Sequence, residues 1–468
     1  MAAIITSPFR VQNAQRLVSA VTSENVYITV GKSDDWASSD TVIVTPTTSP
    51  QNIGETQGQI IAMKKVVTGG TSLAIPMVKF SQVAFKEYDP SSDTNFISGT
   101  IGGVSCLPAY CVSQFGAEYR VYKCLSALKN ASGVIQPPSV ATAPSVVPAV
   151  GNSYETIESV GGYLWCYMFS AYSSSTTFSQ SFVPVPSAVN TAQGPINNKG
   201  KIYGYKVISG GTGYTNGTYT NVAVTGNGTG AAATITVAGG VVTNAVVYTT
   251  PTPQYGSGYT RATFTLTGAG TPSVVAVIQP LYTPVNGHGY DSANELNAYY
   301  AVFSVAFGPG AEDTDLPAIN DFRQVGLLLN PLDNSSVLLT SSYANAQKTL
   351  VFSGLTGTQP LDGIIYQPST GAKGFLDSVS GSSIRYHQNY SSLVNFKAFT
   401  TGSIVYIYAA NATPADGVGT GSVGNGTLSS ITASEYKAES GQLLFVENRQ
   451  KITRSDAQTE DVKIILQF

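Results

Sequence analysis

The sequence predicts a mainly β fold, with a discontinuous β-sandwich core, one short N-terminal helix and two inserted small β-domains. Three observations favour this fold class. The 468 residues include 47 Gly, 24 Pro and 27 Tyr, a composition typical of turn-rich β-proteins. Runs of β-branched and aromatic residues bounded by glycine recur along the chain. Two segments differ from the rest in composition, which predicts the insertions.

The charge content indicates a protein of large assemblies. Charged residues make up only 11% of the chain, against about 25% in a typical globular protein. The surface must therefore be solubilised mainly by uncharged polar groups, which suits a protein whose exterior becomes interface. The net charge is -3 and no basic stripe occurs, so nucleic acid is not an expected partner. No apolar run approaches the ~20 residues of a membrane span, and no basic leader precedes the first apolar residues, so neither a membrane nor a secretory signal is expected.

The N-terminal region predicts a helix followed by a strand. Ser7 is a good N-cap and Pro8 suits the first helical position. Apolar residues then recur at helical spacing for about three turns, at Val11, Ala14, Leu17, Val18 and Val21. Residues 25 to 31 form a β-branched run closed by glycine, and residues 33 to 36 predict a turn.

The middle of the first region predicts further strands and one loop. Strand-like runs occur between residues 60 and 90, and residues 119 to 125 alternate as a strand with one buried face should. Residues 161 to 169 are the most aromatic stretch and predict a central strand. Residues 131 to 152 are rich in Pro, Ser, Ala and Val, which predicts a surface loop or wrapping arm.

Residues 199 to 280 predict an inserted, duplicated β-module. This segment is nearly uncharged, and its residues 211 to 215 (GTGYT) recur as residues 256 to 260 (GSGYT). A second echo follows each copy, at residues 225 to 229 (TGNGT) and 267 to 271 (TGAGT). Gly239-Gly240 lies between two strand-like runs and predicts a hairpin.

Residues 346 to 435 predict a second insertion. Residues 363 to 367, 370 to 376 and 383 to 387 resemble successive short strands of a small barrel, residues 402 to 409 add a β-rich run, and residues 416 to 426 predict a glycine-rich tip. The predicted domains are therefore residues 1–198 (first part of the core), 199–280 (first insertion), 281–345 (second part of the core), 346–435 (second insertion) and 436–468 (C-terminal core strands).

Four cysteines offer the first candidate site, at Cys106, Cys111, Cys124 and Cys166. They are too few for a disulfide scaffold in a chain of this length, and we expect reduced, mostly buried thiols. A zinc site is the alternative. The interval between the first two cysteines does not match a common zinc knuckle, and neither histidine is near in sequence.

The sequence gives little support for catalysis, and we predict no catalytic, cofactor-binding or metal-binding residue. The two histidines, His288 and His387, are expected to have structural roles, and no nucleophile elbow with a credible triad occurs. The acidic runs at residues 34–35 and 312–315 are expected to be solvated loops, with calcium as the alternative for the second. The glycines at 210–213 lack the lysine of a phosphate loop. A polysaccharide-degrading enzyme has only β-richness in its favour.

Four tyrosines of the first insertion could contact a ligand. If exposed, Tyr214, Tyr219, Tyr255 and Tyr259 could stack on sugars or fill a groove of a partner. The alternative is that they pack across the module. We favour packing, and keep contact with a glycan or a fibre through residues 199–280 as an open alternative.

Several segments, read in order, carry a family resemblance. They are residues 4–10 (IITSPFR), 26–33 (VYITVGKS) with Trp36, 121–125 (VYKCL), 162–165 (GYLW) with Tyr167, Met168 and Phe169, 183–186 (VPVP), 321–325 (DFRQV), 330–332 (NPL), 440–443 (SGQL), 447–449 (ENR), 458–460 (QTE) and a terminal strand ending at Phe468. In this order they resemble the gene-product-8 family of baseplate wedge subunits from T-even-type contractile-tailed phages. The resemblance covers roughly residues 1–190, 285–345 and 436–468, and the two insertions depart from it.

The resemblance implies a structural virion protein, made late in infection, without enzymatic activity or cofactors. It implies a discontinuous β-sandwich core, a homodimer, and interfaces with other wedge subunits that act in baseplate assembly and in the change that triggers contraction. Assembly would take place in the reducing host cytoplasm, which agrees with unpaired cysteines and with depletion of charge at interfaces. A receptor- or glycan-binding tail adhesin is the alternative function, supported by the glycine- and tyrosine-rich module.

Overall fold

The computed structural model describes residues 5–32, 43, 45–46, 49–149, 155–189, 199–284, 286–308, 316, 321–389, 391–414, 419–453, 455 and 458–468. Strands account for 47% of the residues and helices for 8%, so the predicted mainly β fold with a short N-terminal helix is confirmed. Within the described residues, no helix has the length and apolarity that crossing a membrane requires.

The helical elements are short, apart from the first. They are α1 (Ser7–Ser23), α2 (Pro50–Gly58), a 3-10 turn (Thr68–Gly70) and α3 (Ser292–Glu295).

The strands of the first half are β1 (Val26–Gly31), β2 (Ile60–Lys65), β3 (Thr71–Pro76), β4 (Gly99–Ile101), β5 (Val104–Cys106), β6 (Tyr110–Phe115), β7 (Glu118–Ser126), β8 (Ile157–Val160), β9 (Tyr163–Tyr172), β10 (Phe182–Val185), β11 (Ile202–Ser209), β12 (Gly217–Ala223), β13 (Thr225–Gly226), β14 (Thr229–Ala238) and β15 (Val241–Val247). Those of the second half are β16 (Tyr255–Ser257), β17 (Ala262–Thr263), β18 (Val277–Tyr282), β19 (Tyr300–Phe307), β20 (Asp321–Leu329), β21 (Tyr343–Asn345), β22 (Lys348–Gly357), β23 (Gly363–Gln367), β24 (Ala372–Ser380), β25 (Ser383–His387), β26 (Ile404–Ala410), β27 (Gly424–Thr432), β28 (Gln442–Thr453) and β29 (Glu460–Gln467).

Helix α1 has the apolar stripe that the sequence predicts, but different ends. It begins at Ser7, one residue earlier than predicted, and the backbone amides of Phe9 and Arg10 donate to the Thr6 carbonyl. It continues to Ser23 rather than ending after about three turns. Val11 and Ala14 are fully buried, as expected of side chains on the stripe that faces a core.

The chain divides into two compact units, each built from separate stretches of sequence. Unit 1 contains residues 1–18, 72–302 and 466–468, and unit 2 contains residues 19–71 and 303–465. The predicted insertion at 199–280 therefore falls within unit 1, and the one at 346–435 falls within unit 2.

Unit 1 contains an antiparallel sheet with the order β6-β7-β9-β8. The aromatic run predicted to be a central strand is β9, which lies between β7 and β8. One face of this sheet packs on an aromatic cluster in which Trp165 makes edge-to-face contacts with Phe80 and Phe85 and stacks on Tyr163. Such contacts add to the free energy gained from the buried apolar area.

The proline-rich stretch forms an irregular segment without strands between residues 136 and 149, in agreement with the predicted loop. Hydrogen bonds hold this segment against the sheet. The carboxylate of Glu158 accepts hydrogen bonds from the backbone amides of Ser145 and Val146, at 2.6 and 2.9 Å. The Arg120 guanidinium donates to the Ser145 carbonyl at 2.6 Å. Residues 150–152 of the predicted arm lie outside the described residues.

The glycine- and tyrosine-rich module of unit 1 has its own buried core. Strands β12, β14 and β15 form one sheet, and β16 also pairs with β14. Strand β11 pairs with β18, and β13 with β17. The hairpin predicted at Gly239-Gly240 joins β14 to β15, and both glycines have positive φ, which lets the chain reverse within two residues.

The sequence repeat of this module is also a structural repeat. The first glycine of each copy, Gly211 and Gly256, has φ +62° and leaves no room for a Cβ atom, which would lie 2.4 to 2.6 Å from backbone atoms. The following tyrosines are both buried. The Tyr214 hydroxyl accepts from the Ala276 amide at 2.8 Å, and the Tyr259 hydroxyl accepts from the Ala231 amide at 3.4 Å. Each copy thus inserts a tyrosine that hydrogen-bonds a buried amide.

Unit 2 contains an antiparallel sheet with the order β21-β2-β1-β20-β28. Its central strand, β1, is buried along its whole length, and β20 beside it is buried from Asp321 to Leu328. Side chains on both faces are therefore covered, which agrees with the β-branched run of β1 and the apolar run at residues 325–329 of β20.

The other part of unit 2 is a closed six-stranded barrel with the order β22-β25-β24-β23-β26-β27. Its strands lie between Lys348 and Thr432, inside the segment for which the sequence predicts a barrel-like module. The interior is filled by aliphatic and aromatic side chains, among them Leu350, Ile365, Leu376 and Ile407. Closure leaves no unpaired sheet edge in this small domain.

Candidate functional site

The four cysteines do not form a site. All four are free and buried. Cys106, Cys111 and Cys124 belong to the aromatic core of unit 1, and Cys166 belongs to a neighbouring cluster. Burial raises the pKa of all four thiols, which disfavours the thiolate that zinc requires. Among the described residues, no group of three or more Cys, His, Asp or Glu side chains could hold a metal ion.

The acidic runs at residues 34–35 and 312–315, the second of which has calcium as its alternative, lie outside the described residues. The tyrosines of the first insertion are described, and the predicted packing is confirmed for two of them. Tyr214 and Tyr259 are buried in the module core. Tyr219 packs partly buried against the same core, and Tyr255 lies against Tyr203 with ring centroids 4.6 Å apart.

His288 belongs to a buried charge network of unit 1. Its Nδ1 atom lies 3.5 Å from the Glu295 carboxylate, which also contacts the Lys123 ammonium at 3.2 Å. That ammonium lies 3.8 Å from the centroid of the Tyr88 ring, a cation–π contact. Burial lowers the pKa of His288, and the positive charge of Lys123 acts in the same direction. Because one carboxylate and one aromatic ring stabilise the buried ammonium of Lys123, we interpret this network as structural.

Glu295 also fixes the backbone around His288. Its carboxylate oxygens accept from the amides of Gly289 and Asp291 at 3.1 and 3.0 Å. The amide of His288 itself donates to Glu155 at 2.8 Å, and the Tyr203 hydroxyl donates to the same glutamate. The turn around His288 is thus held by two buried carboxylates, those of Glu155 and Glu295.

His387 is part of a second network, in unit 2. It ends strand β25, and its Nδ1 atom lies 2.8 Å from both carboxylate oxygens of Asp377, on the adjacent strand β24. Asp377 is fully buried and accepts a third hydrogen bond from Gln347 at 2.6 Å. Burial by itself would raise the pKa of Asp377, but His387 and Lys32 lower it below its ordinary value.

Lys32 joins this pair to two further aspartates. Its Nζ atom lies 3.3 Å from Asp377 and 3.1 Å from Asp321, and it also contacts Asp362. The lysine follows β1 of the sheet, whereas Asp362 and Asp377 belong to the barrel segment. Burial would lower the pKa of Lys32, but the three carboxylates raise it, so the ammonium stays charged.

Acidic and basic side chains occur in equal number among the described residues of the Lys32 cluster. Asp321 has two further cationic neighbours, Arg323 at 3.0 Å and Lys451 at 3.6 Å. Within the described residues, and not counting His387, three basic side chains therefore face three aspartates. A cavity of about 430 Å³ adjoins the cluster, lined by Lys32, Arg323, Asp362, Phe375, His387, Asn389, Ser391, Ser392, Leu393 and Asn411. Because the charges compensate one another, we interpret the cluster as a structural connection between the sheet and the barrel.

The largest cavity described is a cleft of about 580 Å³ in unit 1. One wall comes from the inserted module, through residues 205–207 of β11 and 242–244 of β15. The other comes from the loops and short strands around the four-stranded sheet, at residues 86–101 and 129–135. The two walls meet where Gly133 approaches Thr243 so closely that a Cβ atom would lie 2.5 Å from the threonine carbonyl oxygen.

Two ion pairs lie in this cleft. Lys129 contacts Glu87 at 2.6 Å, and both side chains are nearly buried. Lys206 contacts Asp89 at 2.6 Å, and this lysine is half-exposed. Burial would raise the pKa of Asp89, but hydrogen bonds from Lys206 and Ser91 lower it, so the carboxylate stays ionised.

Lys86 differs from the other lysines of the cleft. It is 7% exposed, and its ammonium donates to the backbone carbonyl of Thr94 at 2.8 Å. No carboxylate of the described residues lies within ion-pair distance of it. Burial lowers its pKa accordingly. The cleft thus contains three lysines against Glu87 and Asp89, which leaves one uncompensated positive charge on Lys86.

Sequence reasoning missed both the Lys32 cluster and the cleft. Lys32 was named only within the family-like segment 26–33, and Lys86 was not singled out. The one signal available was the scarcity of charge: in a chain with so few charged residues, aspartates at 362 and 377 within a β-rich insertion are unusual. Their partners lie some 330 to 345 residues away along the chain.

Comparison with protein-family models gave no match, and comparison with curated proteins gave none.

Proposed function

We propose that this chain is a structural subunit of a contractile phage tail, in the baseplate wedge, which acts through protein–protein interfaces and not as an enzyme. One observation carries the proposal. Three of the segments that resemble the wedge family, residues 26–33, 321–332 and 440–449, contribute three strands that lie side by side in one sheet. Segments that share an ancestral core should be neighbours in space however far apart they are in sequence.

The register supports this relationship. Strand β1 pairs with β20 from Val26 opposite Leu329 to Gly31 opposite Gln324. Strand β20 in turn pairs with β28, with Gly326 opposite Val446 and Leu329 opposite Gln442. The Asn330 side chain, at the start of the NPL motif, accepts from the Asn25 amide at 2.9 Å. The family-like motifs therefore support one another structurally.

The second insertion leaves this sheet and returns to it. Strand β21 pairs with β2 at the sheet edge, the barrel begins at Lys348, and β28 follows the barrel and pairs with β20. An insertion between two strands of the sheet adds a domain without changing the strand order of the core. This agrees with a family core into which a module was inserted.

The proline-rich segment of unit 1 offers an interface surface. Val140, Val146 and Val147 are exposed on it, and Val146 retains 44% of its accessible surface. The hydrogen bonds from Ser145 and Val146 to Glu158 hold the backbone beneath them. A surface that is apolar and already ordered loses little conformational entropy on association, which favours permanent interfaces.

The mass of the native protein tests this proposal. We expect a dimer of ~98 kDa, twice the chain mass of 48.9 kDa, that a chelator does not dissociate. We further expect the chain to co-purify with the wedge subunits of the same phage when they are expressed together. The double variant V146D/V147D should weaken dimerisation or wedge assembly, because it places two charges in a desolvated surface. V337D, at a valine of unit 2 with 60% exposure, is the matched control.

A stable trimer that binds no wedge subunit would contradict the proposal and favour the adhesin. The adhesin is retained as the second candidate function because the glycine- and tyrosine-rich module forms one wall of the largest cleft. Trimeric organisation is typical of tail adhesins, so the two candidates give different masses in the same measurement.

A further inference from the structure

We infer that the cleft between the inserted module and the four-stranded sheet of unit 1 binds an acidic saccharide of two to three sugar units, whose carboxylate pairs with Lys86. The inference does not depend on the wedge assignment. It rests on three features of the cleft: its size, its polar lining and its uncompensated charge.

The size of the cleft fits a short saccharide. Its volume of about 580 Å³ lies within the range of roughly 300 to 1,000 Å³ that is typical of small-molecule sites. The wall from the inserted module is positioned by strands, since Val207 pairs with Ile278 between β11 and β18, and Asn244 pairs with Thr236 between β15 and β14. That wall is preorganised, which lowers the entropic cost of binding.

The lining offers hydrogen-bonding groups suited to sugar hydroxyls. Neutral polar side chains occur on both walls: Ser92, Thr94, Thr100, Ser132, Thr243 and Asn244. Hydroxyl and amide groups can both donate and accept, as a sugar hydroxyl can. Apolar side chains also line the cleft, including Ile101, Ile135 and Val242, and they can cover the C–H faces of a sugar ring.

The charge selects an acidic ligand. Lys129 and Lys206 are each paired with a carboxylate, whereas among the described residues the buried Lys86 ammonium contacts a neutral carbonyl and no carboxylate. A buried ammonium without a counter-ion is costly, and a ligand carboxylate would relieve that cost with a charge-assisted hydrogen bond. Thr100 and Ile101, which follow Gly99, also line the cleft, and a Cβ atom at Gly99 would lie 3.1 Å from the ammonium. The glycine leaves the lysine room beside β4.

Titration calorimetry of the full chain tests this site. The probes are trigalacturonate, sialyllactose and a chondroitin disaccharide, with fully methyl-esterified trigalacturonate as the neutral counterpart and sodium acetate as the anion without a sugar. We expect saturable 1:1 binding of at least one acidic probe. We expect the neutral ester and acetate to bind at least tenfold more weakly, because one lacks the charge and the other lacks the hydroxyls.

Three variants locate the binding. K86M should weaken binding about ten- to a hundredfold, the effect of losing one charge-assisted hydrogen bond. T100W, at an exposed threonine of the cleft, should block it sterically without changing the melting temperature. K348M, at an exposed lysine of unit 2, should bind as the unaltered chain does.

The inference is wrong if none of the three acidic probes binds saturably, or if K86M and T100W bind them as well as K348M does. It is also wrong if acetate binds as tightly as the saccharides, since Lys86 would then hold any small anion. Displacement of a bound saccharide by an Asp- and Glu-rich peptide of higher affinity would instead assign the cleft to a partner protein. Each of these results is independent of whether the chain is dimeric and joins a wedge.

Discussion

Replacement of Lys32 by methionine should destabilise unit 2 strongly. The substitution keeps the length and apolar volume of the side chain but removes the one charge that all three aspartates share. Asp362 retains about 40% side-chain exposure and can be solvated by water. Asp321 and Asp377, at 6% and 0% side-chain exposure, cannot.

The magnitude follows from these two buried carboxylates. Removal of one partner from a buried ion pair typically costs about 3–5 kcal/mol, because the remaining charge stays desolvated. Arg323 and Gln347 still contact Asp321 and Asp377, which places the expected loss near the lower end, at ~3 kcal/mol. In a unit of roughly 200 residues this lowers the melting temperature by about 6 to 12 °C.

The assay is urea unfolding and thermal melting followed by circular dichroism, with K451M as the matched control. Lys451 contacts the same Asp321, at 3.6 Å, but its side chain is 37% exposed. Exposed pairs contribute about 0–1 kcal/mol, so K451M should change the unfolding free energy by less than 1 kcal/mol. The double variant K32M/D377N should be less destabilised than the sum of its single variants, because it removes one of the stranded charges.

Equal effects of K32M and K451M would refute this reasoning. They would mean that water reaches the cluster and solvates the aspartates, so that the sheet and the barrel of unit 2 do not depend on it. Strict additivity in the double variant would show that Lys32 and Asp377 do not interact energetically.

Three further predictions concern pH, the glycine repeat and the thiols. The pKa values of Asp321 and Asp377 are lowered in the folded chain. The two ionised carboxylates therefore contribute their full stability to the folded state above the ordinary aspartate pKa of ~3.9, and this contribution is lost as the pH falls through the lowered pKa values. The urea midpoint of the unaltered chain should therefore fall steeply below about pH 4, and that of D377N should fall less. If D377N had the same pH profile as the unaltered chain, Asp377 would be excluded as a contributor. Gly256→Ala should lower the free energy of unfolding by ~3 kcal/mol or more, as measured by urea unfolding. Gly268 has φ +80° and free space around it, so Gly268→Ala should lower that free energy by about 1–2 kcal/mol. Equal losses would show that the close backbone approach at Gly256 does not matter. The four thiols should react with Ellman's reagent only after unfolding, and a chelator should leave the melting temperature unchanged; rapid reaction in the native state or a lowered melting temperature would contradict the assignment.

The local features of the fold were largely predictable. The β-branched and aromatic runs became strands, the paired glycines at 239 and 240 became a hairpin, and the amphipathic run after Pro8 became helix α1. These features depend on backbone preferences and on side-chain periodicity within a few residues. The N-terminal end of α1 was misplaced by one residue because Ser7 and Pro8 also fit the first turn itself.

The tyrosines show where a local pattern stops being informative. The repeated motif identified Tyr214 and Tyr259 as equivalent, but not whether they face solvent. In the structure each hydroxyl reaches a buried amide outside its own motif, at Ala276 and Ala231. That partner exists only after the module has folded, so packing could be favoured from the sequence but not demonstrated.

The sequence alone determined the mainly β class and the duplication within residues 199–280. These features depend only on residues that are neighbours in the chain or on the order of residues along it. Only the tertiary structure decided which charges meet. Lys32 reaches Asp377 across 345 residues. Among the described residues, Lys86 has no carboxylate partner, although Glu87 and Asp89 line the same cleft and pair with Lys129 and Lys206. The strength of an electrostatic interaction depends on the distance between the charges and on the exclusion of water, and the local sequence specifies neither of them.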